Sequence, residues 1–187
     1  MPADHTPILD HSNASLIRRG DDVEQVELCG SYLVICTGPD GVEKWRESFD
    51  NLVTTLGKND LLNTYFRAAI YSQTIRMGLK GAGAIAVGDT QASHAGWLEV
   101  GLANAPIYTG NRKDVLLAAA SGGSASAPLQ SFAITSSGVV AGAFMNNGGS
   151  ATKDDTTGVL YSVGDFTNGP RSVDNGDTLQ ASYTASC

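Results

Sequence analysis

The chain is 187 residues long, 42% apolar and only 17% charged, with 22 glycines and a formal net charge of −7. That length suffices for one domain with its own core, without metals or disulfides to hold it together. The acidic balance, with no basic stripe, lacks the phosphate-neutralising electrostatics that nucleic-acid binding depends on, and no apolar run approaches the ~20 residues that span a bilayer.

Residues 1–22 are polar, include Pro2, Asp4 and Pro7, and show no periodicity beyond Leu16-Ile17 followed by Arg18-Arg19. They are expected to form an extended arm, either without fixed structure or ordering on a neighbouring subunit, with Leu16, Ile17, Arg18 and Arg19 as contact candidates. The first ten residues lack a charged-then-apolar pattern, so no secretory signal is expected. Residues 23–55 read as a β-hairpin. Val23, Val26 and Leu28, then Tyr32 to Ile35, are β-branched or otherwise apolar, Thr37-Gly38-Pro39-Asp40-Gly41 is a turn signal, and alternation on the return strand puts Trp45 and Phe49 on one face.

A short helix is expected over about 59–69, capped by Asn59 or Asp60, with Leu61, Leu62, Tyr65 and Phe66 at helical spacing and packed on the sheet. Residues 70–79 read as a strand that ends where glycines begin at Lys80. Further strands are expected at 97–102, 115–119, 129–135, 139–145, 159–163 and 179–184. Between them stand the turns 121–124, 146–149 and 174–177, where glycine or Asn-Gly supplies positive φ. The expected fold is mainly β: a jelly-roll-like antiparallel β-sandwich over 23–187, with one short helix and the arm at 1–22. Cys29, Cys36 and Cys187 are an odd set; Cys29 and Cys36, seven apart, would face opposite sides of one strand and cannot bridge, so reduced, buried thiols are expected.

Catalytic patterns are thin. A serine hydrolase needs a base, and only His5, His11 and His94 exist; the Gly-x-Ser-x-Gly elbow is absent, and His94 reads better as a turn residue bonded to backbone beside Trp97. Ser150 and Lys153 match Ser-x-x-Lys but follow Asn-Asn-Gly-Gly in an expected surface loop, and Gly81-Ala82-Gly83 lacks the strand-to-helix setting of a dinucleotide fingerprint. Zinc spacing is missing, and the acids at 154–155 and 174/177 lack calcium-loop spacing. Glu99, Asp114, Asp165 and Asp177 are scattered among turns without a pattern that pairs two of them. No catalytic, metal or cofactor residue is therefore assigned, and no enzyme activity is expected. Tyr32, Tyr71, Tyr108 and Tyr161 are aromatic contact candidates, half-buried strand positions being the alternative.

Several stretches resemble small structural proteins of tailed bacteriophages. They are Lys44-Trp45 leading to Asn51-Leu52-Val53-Thr54-Thr55 and Gly57-Lys58-Asn59-Asp60-Leu61-Leu62; Ser93-His94-Ala95-Gly96-Trp97 with Asn104-Ala105-Pro106 and Tyr108; Gly142-Ala143-Phe144; Gly158-Val159-Leu160-Tyr161-Ser162; and Arg171 through Leu179. The resemblance spans residues 42–187, excludes the arm, and departs at Ile75-Arg76-Met77-Gly78, where many such proteins have a bulkier aromatic strand. It implies a capsid decoration or cement protein on the virion surface, made in the host cytoplasm, binding the major capsid protein, copies of itself, or both. A tail-associated adaptor or receptor-binding fibre module, with residues 146–157 and 164–177 as contact loops, is the alternative; a His94-based cell-wall hydrolase ranks last.

Overall fold

The computed structural model describes residues 28–67 and 74–187. The fold is mainly β, with one helix among the described residues and antiparallel pairing between the strands. In chain order, β1 (Cys29–Thr37) and β2 (Glu43–Asp50) form the hairpin, β3 (Leu52–Val53) follows at once, and α1 (Thr55–Phe66) precedes β4 (Ile75–Gly83). Then come β5 (Trp97–Val100), β6 (Lys113–Val115), β7 (Ser124–Ser126), β8 (Gln130–Ala133) and β9 (Gly138–Val140). The last four are β10 (Gly142–Asn147), β11 (Val159–Asp165), β12 (Arg171–Val173) and β13 (Thr178–Ser186).

One sheet runs β2-β1-β13, with β7 and β8 sharing the far edge of β13. The other runs β3-β11-β10-β4, with β5 and β6 sharing the far edge of β4, and β9 pairs with β12 apart from both. Both large sheets feed one hydrophobic cluster: Tyr32, Val34, Phe49, Leu179 and Tyr183 from the first, Met77, Leu79, Ala143 and Met145 from the second. Phe144 alternates with Ala143 and Met145, so it points to the opposite face, where Trp97, Leu160 and Val163 join it in a second cluster.

In β1 the period of two buries Tyr32, Val34 and Cys36 and separates Cys29 from Cys36. All three cysteines are free, but only Cys36 is buried; Cys29 and Cys187 are exposed at strand ends, against the expectation of buried thiols. The hairpin closes as Gly38 N donates to Val42 O and Gly41 N to Gly38 O, both at 2.9 Å. On β2, Trp45, Glu47 and Phe49 share the inner face, and the buried Glu47 carboxylate accepts from Arg171 Nε at 2.7 Å and Asn168 Nδ2 at 3.0 Å. The return strand does not run to residue 55: beyond Asp50 the chain leaves the first sheet, and β3 pairs with β11 in the second. Asn51, at the crossover, donates to the Tyr183 hydroxyl at 2.8 Å.

Other expectations move for identifiable reasons. Residues 70–73 of the expected 70–79 strand lie outside the described residues, and β4 continues through the glycines to Gly83. Those glycines serve close approach: a Cβ on Gly78 would enter the Phe144 ring, and one on Gly83 would strike the Gly96 carbonyl. The expected strand at 139–145 is split at Ala141, whose N–H donates to Lys80 O at 2.8 Å, and β9 pairs with the unforeseen β12 instead. Asn146 and Asn147 belong to β10 rather than to a turn. The buried Asn146 amide donates to Gln91 Oε1 and Thr157 O and accepts from Gly149 N, which leaves the reversal to Gly148 at φ +70°.

Candidate docking surface

The helix starts four residues earlier than the sequence suggested. Thr54, extended at φ −68° and ψ 162°, caps it by accepting from Gly57 N at 3.0 Å, while its own hydroxyl donates to Leu160 O at 2.5 Å. Thr54 therefore ties the helix start to β11. Gly57 is the buried residue of α1, because a Cβ there would collide with the Tyr161 carbonyl. Close approach at the first turn comes with a helix whose second half stands away from the sheets.

That geometry corrects the expectation of an apolar face packed on the sheet. Leu61, Leu62, Tyr65 and Phe66 are 44%, 49%, 80% and 74% exposed, respectively. Tyr65 and Phe66 lean on one another edge to face, 4.9 Å between ring centroids. Taking about 200 Å² for each such side chain when fully exposed, the four present about 500 Å² of apolar surface. Patches of this size on a folded chain are often functional.

Two cavities flank this face. One, of about 530 Å³, opens between the sheets where their shared core ends, and is lined by Leu61 and Tyr65 of α1 together with Ile75, Leu117, Met145 and Tyr183. The other, of about 780 Å³, lies between α1 and residues 50–53, with Leu62 and Phe66 in its wall. Leu28 and Leu61 border both. Polar groups mark the rim of the first: Asn147 Nδ2 donates to Asp60 Oδ2 at 2.6 Å. A mostly apolar recess beside protruding aromatics has the chemistry of a protein-docking site.

The contact candidates named from sequence fall differently. Leu16, Ile17, Arg18, Arg19 and Tyr71 lie outside the described residues. Tyr32 and Tyr108 are 0% and 1% exposed, so neither reaches a surface; both rings are core, stacked on Phe49 and edge-on to Phe132. Burial accordingly pushes both phenols well above the usual tyrosine range. Tyr161 is half-buried and lines the first cavity, which makes it the candidate among the described tyrosines that borders the docking face. The leucines and aromatics of α1 were legible at helical spacing; the missing partner for them was not.

His5 and His11 lie outside the described residues, and the described residues weighed for chemistry are occupied structurally. His94 Nδ1 bonds to Trp97 O at 3.0 Å and its ring stacks on Trp97 at 4.0 Å. The four scattered acids each meet a different cation: Glu99 with Arg112 (2.5 Å), Asp114 with Arg76 (3.1 Å), Asp165 with Lys80 (2.5 Å) and Asp177 with Lys44 (2.8 Å). Lys153, expected in a surface loop, is buried: its ammonium donates to Gly101 O at 2.7 Å and Tyr108 O at 2.6 Å, and burial lowers its pKa. The bidentate Arg112–Glu99 pair is fully buried, and Arg112 also donates to Ser150 O and Asp155 O. It thus fixes residues 150–155 against β5. Neither group was anticipated, since spacing in sequence carries no sign of which loop cation the fold brings against which acceptor.

A polar cleft of about 370 Å³ lies over this network, bordered by His94, Glu99, Asn104, Asp154 and Asp155. Among the described residues no group of three or more His, Cys, Asp or Glu is placed to hold a metal ion, and no helix is long and apolar enough to cross a membrane. Comparison with protein-family models, curated proteins and solved structures finds no match to this chain.

Proposed function

We propose that this chain is a non-enzymatic virion structural protein of a tailed bacteriophage, a capsid decoration or cement protein. In this reading it is built as a jelly-roll-like β-sandwich and binds the major capsid protein lattice, copies of itself, or both. The observation that carries it is the apolar face of α1, about 500 Å² beside two recesses, a surface suited to fitting against protein rather than to turning over a substrate. The stretches that carry the phage resemblance also meet in space: Gly57 abuts the Tyr161 carbonyl, and Trp97 packs on Phe144 at 5.4 Å between ring centroids. Binding to a lattice would stabilise both partners by mass action.

Adding the purified protein to capsids that lack it tests this directly. Co-sedimentation with the shells and greater resistance of the loaded shells to heat are expected; protein left in the supernatant at every concentration would remove the basis of the reading. A copy number in the hundreds per particle supports the head, and a handful points to the tail. The tail-associated alternative draws on one feature, the polar cleft lined by Gln91, His94, Asn104, Asp154 and Asp155, whose carboxylates and amides suit a polyhydroxylated ligand. Glycan binding abolished by Asp155→Asn would favour it.

A further inference from the structure

Resting on the reading of the α1 face as a docking surface, we infer that its occupant is a second copy of this chain. In a two-fold pair, Tyr65 and Phe66 of each copy enter the cavity beside α1 of the other. The argument is self-complementarity. A two-fold interface uses one patch twice, so that patch must carry both a projection and the recess that receives it. The α1 face carries both: Tyr65 and Phe66 project at 80% and 74% exposure, and the 530 Å³ cavity bordered by Leu61, Ile75, Leu117 and Met145 opens directly beside them.

Area and charge fit the same occupant. About 500 Å² from each copy gives about 1,000 Å², the lower bound for a specific association, and paired aromatics at the centre are the residues that dominate such interfaces. Leu61, Leu62, Tyr65 and Phe66 bear no charge, and the Asp60 carboxylate at the cavity rim is bonded to Asn147 Nδ2, so two copies with net charge −7 can meet here through uncharged anchors. Their long-range repulsion remains, and salt screens it. Raising ionic strength should therefore tighten the pair, whereas an interface built on ion pairs would loosen.

The test is sedimentation velocity on the full chain from micromolar to hundreds of micromolar, at low and at physiological salt. A reversible monomer–dimer equilibrium that strengthens with salt is expected. The double variant Tyr65→Ser, Phe66→Ser should weaken association by at least a hundredfold, because every substitution acts twice across the axis, while far-UV circular dichroism and melting stay as in the parent. Val42→Ser, an exposed apolar residue in the hairpin turn and outside the patch, should leave association unchanged. A chain that stays monomeric throughout overturns the inference, and so does a dimer indifferent to the double variant. Two further outcomes also overturn it while naming another occupant. If the monomer still binds capsids through Tyr65 and Phe66, the face belongs to the capsid protein and the proposed function stands; if only a variant lacking residues 1–22 dimerises, the chain covers its own face. Dimerisation together with failure to bind capsids would instead retain this inference and remove the decoration reading.

Discussion

Replacing Arg112 by methionine keeps most of the side-chain stem beside Phe144, where the guanidinium lies 5.5 Å from the ring centroid, but strips Glu99 of its counter-ion. Both side chains are buried, at 0% and 2% exposure, and are joined by two hydrogen bonds of 2.9 and 2.5 Å. Breaking one side of a buried pair leaves a desolvated charge, a loss of about 3–5 kcal/mol. For a chain of this size that lowers the melting temperature by about 6–20 °C. Changing Glu99→Gln in the same molecule removes the stranded charge and keeps an acceptor for Asp154 N, which Glu99 Oε2 now binds at 2.9 Å. The double variant should then recover about 2 kcal/mol or more of what Arg112→Met loses. Urea unfolding of the parent, both single variants and the double variant closes the cycle. A cost under about 1 kcal/mol for Arg112→Met, or additivity within about 0.5 kcal/mol, would refute the assignment of this pair as the clamp on residues 150–155.

Thr54→Ala should destabilise the fold by about 1–2 kcal/mol, since it removes the cap on Gly57 N and the donor to Leu160 O; Thr54→Ser, retaining the hydroxyl, should recover most of this in the same unfolding assay. Burial pushes the Asp177 carboxyl up, but the Asp174 amide and the Lys44 ammonium outweigh it and hold the group below the usual carboxylate value. A depressed folded pKa contributes stability that is complete above the unfolded value of about 3.9 and fades as pH falls through the folded one. Acid titration of the parent should therefore show a loss below about pH 4 that Asp177→Asn flattens, and parallel curves would contradict it. Burial, followed by the neighbouring Asp177, pushes the Cys36 thiol up to about 12, whereas Cys29 and Cys187 are exposed. A thiol reagent at neutral pH should accordingly label two cysteines in the native protein and the third only on unfolding.

Much of the architecture was legible in the chain because short-range physics writes it there. Period-two alternation set Trp45 and Phe49 on one face of β2, and glycine at φ +93° marked the 174–177 turn through Gly176, whereas the burial of Tyr32, named as a contact candidate, emerged only from the packing of β1. His94 bonded to backbone beside Trp97 was likewise readable from local chemistry. What local pattern does not encode is which strand comes alongside which. Only the tertiary arrangement decided that the hairpin's return strand changes sheets at Asn51, that Lys153 is buried, and that Glu99 of β5 finds Arg112, just ahead of β6. The same arrangement decided the docking face. Helical spacing put Leu61, Leu62, Tyr65 and Phe66 on α1, but contact between Gly57 and the Tyr161 carbonyl set how the helix lies, and so which of its residues the sheets could not cover. Burial depends on neighbours distant in sequence, and those are chosen only when the whole chain has packed.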